Sequence, residues 1–152
     1  YSIRNNKKIC VGLSSNRIEK KNKISFNDEI EFFNKHLNSF NIEKISNEIL
    51  AEKSKLIICM TSSFGNELVS KGHKVLFLNF NHNFFNLEFN SKNKNGPIWQ
   101  KEIDENSVVK KMNNLFKIND NNYQRLVKKY FILNIFDKNN IKFKKLLKEI
   151  VK

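Results

Sequence analysis

The chain has 152 residues, with 28 Lys or Arg against 15 Asp or Glu, and its formal net charge is +13. This length predicts one domain with a hydrophobic core, because domains usually span about 100–200 residues. No apolar run approaches the roughly 18 residues that a membrane-spanning helix needs, which argues against an integral membrane protein.

The first third of the chain predicts alternating strands and helices. An apolar run over residues 9–13 predicts a buried strand that ends in the polar turn Ser14 to Arg17. Residues 25–40 place apolar side chains at helical spacing, with Ser25 and Asp28 as a capping-box variant at the start. Residues 41–54 predict a weak strand or loop, followed by a short helix around Glu48.

Residues 56–80 give the clearest signal of secondary structure. The apolar run 56–60 predicts a parallel strand that is covered on both faces. Thr61, Ser62 and Ser63 suit the start of a helix, and Gly72 suits its left-handed C′ position. Residues 74–80 predict the next strand, so this stretch forms a right-handed βαβ unit.

The second half of the chain predicts a long loop and then helices. Residues 82–96 are rich in Asn and Phe without periodicity, and predict a surface loop. Residues 104–117, 120–135 and 139–151 then show helical periodicity. The predicted fold class is therefore α/β, with a Rossmann-like parallel sheet, flanking helices and a C-terminal helical tail.

The numbers of arginines, cysteines and histidines limit the ligands that we expect this chain to bind. Only three of the basic residues are arginines, Arg4, Arg17 and Arg125, whereas proteins that read phosphates and bases favour Arg for its bidentate contacts. We therefore expect a mostly solvated lysine surface and do not favour nucleic acid as the partner. Cys10 and Cys59 lie in apolar runs, which predicts buried, reduced thiols. The three histidines lack the spacing of metal ligands, and no metal site is predicted.

Hydroxyl side chains follow two of the predicted strands. Ser14 and Ser15 come after the first strand, and Thr61, Ser62 and Ser63 come after the central one. Ligands of parallel α/β sheets bind at the carboxyl ends of strands, and a helix N-terminus there attracts anions. Arg17 could pair with a phosphate, and Glu67 could accept hydrogen bonds from sugar hydroxyls. The simpler alternative is that the serines only cap the helix while Glu67 faces water.

The segment Leu56 to Asn79 (LIICMTSSFGNELVSKGHKVLFLN) resembles the nucleotide-binding C-terminal domain of GT-B glycosyltransferases. It is similar, more narrowly, to bacterial surface-carbohydrate (capsule or O-antigen) biosynthesis proteins. Their pattern of an apolar strand, a serine-rich helix start and a glycine turn is matched by Ser62, Ser63, Gly65, Glu67, Gly72 and Lys74. The loop from Gly12 to Arg17 and the tail from Pro97 resemble the same families.

The resemblance implies a role for each candidate residue. Thr61, Ser62 and Ser63 would lie at the donor's phosphate, and Glu67 at its ribose or sugar. Ser14, Ser15 and Arg17 would neutralise the nucleotide phosphate as it leaves. The implied partner is a nucleotide-sugar donor, with no further cofactor and no metal. The general base commonly lies in an N-terminal acceptor domain, so no catalytic base is assigned here.

The predicted organisation is one donor-binding domain over residues 1–152: a βα core at 1–80, a loop at 81–99 and C-terminal helices at 100–152. The start at Tyr1, without Met or a signal peptide, leads us to expect a piece of a longer two-domain protein that is cytoplasmic, with association at the inner-membrane surface left open. The predicted function is the donor-binding half of a sugar-nucleotide-dependent glycosyltransferase in surface polysaccharide biosynthesis, with the fragment itself expected to be inactive. The alternatives are a nucleotide-sugar epimerase or polyol-phosphate transferase half-domain, and a non-catalytic basic binding module.

Overall fold

The computed structural model describes residues 7–12, 26–37, 39–42, 45–60, 63–80, 94–130 and 148–149. The chain forms two compact units, Tyr1–Ser54 and Lys55–Lys152. The prediction of one domain over the whole chain stays a prediction. Among the described residues, no helix is long and apolar enough to cross a membrane.

The first unit contains a short parallel strand pair and two helices. Strand β1 (Cys10–Val11) pairs in parallel with β2 (Asn41–Ile42). Helix α1 spans Phe26–His36, and the ring of Phe40, beyond its end, lies 6.1 Å from that of Phe33. Helix α2 spans Asn47–Lys53, and the Ser46 hydroxyl caps it by accepting from the Ile49 amide. Where a weak strand or a loop was predicted the structure has the strand β2, and the predicted short helix is confirmed.

The second unit is built on a parallel sheet. Strands β3 (Ile57–Cys59), β4 (Val75–Leu78) and β5 (Trp99–Gln100) lie in that order. Cys59 pairs with Phe77, and Phe77 with Trp99, so these three side chains share one face of the sheet. The predicted α/β fold with parallel strands and flanking helices is confirmed.

One expectation about β3 is wrong. A parallel strand covered on both faces was expected, but Ile58 is 48% exposed. In the described part of the chain β3 is the end strand of its sheet. The helix Glu105–Lys117 packs on β4, and the Ile58 side chain of β3 stays open to solvent.

Helix α3 (Ser63–Ser70) connects β3 to β4 and ends as predicted at Gly72. Gly72 has a φ of 94°, a conformation that favours glycine. The amide of His73 donates to the Leu68 carbonyl, which completes a Schellman-type cap. The helix buries Leu68 and Val69 against the sheet, and the βαβ unit is therefore confirmed.

Two further helices, α4 (Glu105–Lys117) and α5 (Asp120–Tyr130), complete the described core. Asp104 caps α4, because its carboxylate accepts from the Ser107 amide at 3.2 Å. The centroids of the Trp99 and Tyr130 rings lie 5.5 Å apart. The Trp99 ring also lies so close to Gly96 that any side chain at position 96 would overlap it. The core side chains are Leu68, Val69, Val75, Leu76, Phe77, Ile98, Trp99, Leu115, Tyr123 and Val127.

Two predicted segments fall mainly beyond the described part. The loop predicted over 82–96 is described only from residue 94, and of the helix predicted over 139–151 only residues 148–149 are described, which are helical. The predicted helix over 120–135 is confirmed as far as Tyr130.

Candidate functional site at the carboxyl edge of the sheet

The carboxyl ends of β3, β4 and β5 lie along one edge of the second unit's sheet, because all three strands are parallel. Cys59, Leu78 and Gln100 are the last residues of these strands. The Asn79 amide donates to the Gln100 carbonyl at 2.9 Å, so the register extends to the edge itself. The outer strands lie roughly 10 Å apart, two interstrand spacings, which makes this edge small enough for one ligand to span.

Helix α3 begins at this edge and presents its N-terminus there. Ser63 is its first residue and is exposed, and no acidic side chain lies in the first turn. The partial positive charge of the helix N-terminus is therefore not neutralised by its own helix. This arrangement suits an external anion such as a phosphate.

Gly65 allows α3 to lie unusually close to the sheet. A Cβ atom on Gly65 would lie 2.7 Å from Cε1 of Phe77 and 3.1 Å from Sγ of Cys59. Glycine is used in the same way in dinucleotide-binding folds, where it permits close helix–strand packing beside the phosphate site. The close approach fixes the start of α3 against the ends of β3 and β4.

Glu67 lies in the second turn of α3, and its side chain is exposed. Its backbone carbonyl accepts from the Ser70 hydroxyl at 2.7 Å and from the Lys71 amide. These bonds involve only the backbone of Glu67. The carboxylate, one turn from Ser63, can therefore accept hydrogen bonds from hydroxyl groups of a ligand.

A buried polar cluster at the end of β5 was not predicted from the sequence. Gln100 is 1% exposed, and its Oε1 accepts from the Ser107 hydroxyl and from the Lys111 ammonium of α4. Its Nε2 donates to the Glu102 carbonyl at 2.8 Å. Burial lowers the pKa of Lys111, and the attraction of Asp104 and Glu102 only partly opposes this. The one available signal was the i, i+4 spacing of Ser107 and Lys111, which places both on one helix face.

Of the predicted site residues, the structure describes Ser63 and Glu67 and places both on α3. The other five, Ser14, Ser15, Arg17, Thr61 and Ser62, lie outside the described residues. Their predicted roles at a phosphate stay predictions.

Lys74 matched the family pattern, and its place in the structure is at the opposite edge of the sheet. Its ammonium donates to the Ile118 carbonyl at 2.7 Å and lies 3.1 Å from the Asp120 carboxylate. Lys74 thus joins the end of α4 to the start of α5, which is a structural role.

The thiol of Cys59 is free, and its burial raises its pKa to about 11. A thiol with such a pKa stays protonated at neutral pH, which argues against a nucleophilic role. Neither Cys10 nor Cys59 is in a disulfide, and both are half-buried rather than buried as expected; their reduced state stays a prediction. Within the described residues, no group of His, Cys, Asp and Glu side chains could hold a metal ion.

The chain is similar to a family of known proteins. A family model described as "putative O-antigen biosynthesis protein" matches residues 1–151. No curated protein and no solved structure matches the chain.

Proposed function

The chain belongs to this O-antigen biosynthesis family, whose model covers residues 1–151, and from that premise we propose that it is the donor-binding part of a sugar-nucleotide-dependent glycosyltransferase. The family supports a role in surface polysaccharide biosynthesis. The finer proposal, a GT-B donor half, rests on the geometry of the second unit.

The observation that carries the proposal is the N-terminus of α3 at the carboxyl edge of a parallel sheet. Gly65 holds this helix against β3 and β4, and its first turn has no carboxylate. A nucleotide-sugar carries a pyrophosphate, and backbone amides with a positive helix end are a recurring site for that group.

The side chains around the start of α3 would each contact a different part of the nucleotide-sugar donor. Ser63 would donate a neutral hydrogen bond to the phosphate, together with Thr61 and Ser62. Glu67 would accept from ribose or sugar hydroxyls, because one helical turn separates it from Ser63. Ser14, Ser15 and Arg17 would stabilise the leaving nucleotide, and a separate N-terminal domain would bring the acceptor and the general base.

A charge substitution at Ser63 tests the proposal and separates it from simple helix capping. Ser63→Asp adds a carboxylate to the first turn of α3, which favours the helix by about 0.3–1 kcal/mol. The same carboxylate would repel a phosphate. We therefore expect nucleotide-sugar affinity to fall at least tenfold while the free energy of unfolding stays equal or rises.

Isothermal titration with CMP-, UDP- and GDP-sugars provides the measurement, and urea unfolding gives stability. The matched control is Asn121→Asp, which adds a carboxylate to the exposed first turn of α5. It should leave nucleotide affinity unchanged. The proposal fails if the unmodified chain binds none of these donors at millimolar concentration, or if both variants lose affinity equally.

A further inference from the structure

A groove of about 660 Å³ runs along α4 in the second unit. Its lining combines an aliphatic floor with basic side chains, among them Lys110, Lys111, Leu115, Ile118 and Leu126. Small-molecule sites usually enclose roughly 300–1,000 Å³ and are mostly apolar with a few fixed polar groups. The groove therefore has room for a small ligand.

Lys111 supplies a fixed cation in this groove. Its ammonium donates to Oε1 of the buried Gln100 and, at 3.2 Å, to the Ser107 hydroxyl. Both acceptors are neutral, and the carboxylates of Asp104 and Glu102 attract the ammonium group from a greater distance. Within the described residues, no carboxylate lies within ion-pair distance of Lys111. An ammonium group has three N–H donors, which leaves one for a ligand.

The apolar floor begins one turn beyond Lys111. Leu115 lies on α4, Ile118 is the C-cap residue of that helix, and Leu126 comes from α5. The α4 part of the lining runs from Ser107 to Lys117, a length of about 15 Å at 1.5 Å per residue. The floor has no aromatic ring among its described lining residues, which favours a flexible aliphatic chain over a stacked nucleobase.

We propose that this groove binds a single-chain anionic amphiphile, an aliphatic chain that carries a carboxylate or phosphate head. The head group pairs with Lys111 and Lys110, and the chain lies on Leu115, Ile118 and Leu126. This site is separate from the nucleotide site at α3 and does not depend on it.

Titration of the full chain with dodecyl phosphate and with laurate, both below micelle formation, tests the proposal and distinguishes the two head groups. We expect saturable binding of at least one of them. Affinity should fall roughly three- to fourfold for each methylene removed from the chain, the effect of one buried CH₂. Inorganic phosphate alone and an uncharged dodecyl detergent should each bind at least tenfold more weakly.

Two variants locate the site. Lys111→Met keeps the length of the side chain and removes its charge, and affinity should fall roughly tenfold or more, as for a lost charged hydrogen bond. Lys110→Glu is exposed and leaves the buried cluster intact, so it keeps the test valid if Lys111→Met does not fold. Its matched control is Lys128→Glu, which is also exposed, helical and followed by a second lysine, and which is not among the described lining residues of the groove.

Equal loss of affinity in Lys110→Glu and Lys128→Glu would overturn the proposal, because it would show general charge attraction. Binding that is independent of chain length, or equally tight for inorganic phosphate, would overturn it as well. Failure of both amphiphiles to bind would do the same. None of these results bears on nucleotide binding, which is measured with different ligands and with Ser63 variants.

Discussion

The two edges of the sheet in the second unit differ in how they use polar groups. At the amino edge, Lys74 bonds to the end of α4 and to Asp120, and the Val75 amide donates to the buried Tyr123 hydroxyl at 3.0 Å. At the carboxyl edge, Ser63 and Glu67 are exposed to solvent. The polar side chains of the amino edge therefore stabilise the fold, and at the carboxyl edge Gln100 does the same, whereas Ser63 and Glu67 at the start of α3 are open to a ligand. Substitutions at the amino edge should reduce stability, and substitutions of Ser63 or Glu67 should reduce nucleotide binding.

The largest expected effect comes from Gly65, because a substitution there should reduce both stability and nucleotide binding. Gly65→Ala would force Cβ to 2.7 Å from the Phe77 ring, and we expect a loss of about 3 kcal/mol from overpacking. This outweighs the gain of about 1 kcal/mol that alanine gives in a helix interior. Urea unfolding checks it, with Glu67→Ala on the same helix as an exposed control. A stability equal to that of the unmodified chain would show that α3 does not depend on this close approach.

Tyr123 at the amino edge should affect stability alone. Tyr123→Phe keeps the ring but leaves the Val75 amide without its acceptor, which costs about 1.5 kcal/mol for a buried donor. Chemical denaturation measures this loss, and nucleotide affinity should not change. A Tyr123→Phe chain that unfolds normally but no longer binds nucleotide would break the contrast between the edges.

The same residue predicts a response to alkaline pH. Burial raises the pKa of Tyr123 to about 12, although the hydrogen bond from the Val75 amide acts in the opposite direction. Because the folded pKa lies above the unfolded one, this contribution to stability is complete below about pH 10 and is lost between about pH 10 and 12. The difference between the unmodified chain and Tyr123→Phe isolates it, both in unfolding free energy and in tyrosinate absorbance. A Tyr123 that ionises near pH 10 in the folded chain would contradict its burial.

Lys74 should have a smaller effect. Lys74→Met retains the aliphatic stem and removes the bonds to Ile118 and Asp120, and we expect a loss of about 1 kcal/mol because Asp120 is largely solvent-exposed. Thermal unfolding is the measurement. Lys74 matches the pattern on which the resemblance to GT-B proteins depends. A loss of nucleotide affinity without a loss of stability would therefore show that Lys74 acts in binding and not in the fold.

The smallest effect on stability is expected at Glu67. Glu67→Gln should change the free energy of unfolding by less than about 0.5 kcal/mol, because the side chain is exposed. Donor affinity should nevertheless fall roughly tenfold, since a charged acceptor is lost. Calorimetric titration measures the change, and Glu52→Gln, an exposed substitution in the first unit, is the control. Unchanged donor affinity would show that Glu67 only faces water.

Local patterns predicted much of the fold. The βαβ unit, the left-handed Gly72 and the start of α4 at Asp104 all follow from residues close in sequence. The exposure of Ile58 does not follow from local sequence, because whether a strand is covered depends on which elements pack beside it. The bond between Val75 and Tyr123 joins residues far apart in the chain, and no local pattern carries it.

The candidate site was predicted less completely than the fold. Ser63 and Glu67 could be found because they follow a strand within one short motif. The burial of Gln100 could not, since a glutamine becomes stable in the interior only when distant donors such as Ser107 and Lys111 meet it. The sequence of the short strand Trp99–Gln100 does not predict those partners.

The close contact between Gly96 and Trp99 gives the protein an internal optical probe. Trp99 is the only tryptophan in the chain and is 1% exposed, so its emission should shift to longer wavelength when water reaches it. Because it belongs to the second of the two units, its fluorescence reports the unfolding of that unit, whereas circular dichroism reports both. Transitions that differ between these two signals would show that the units melt independently.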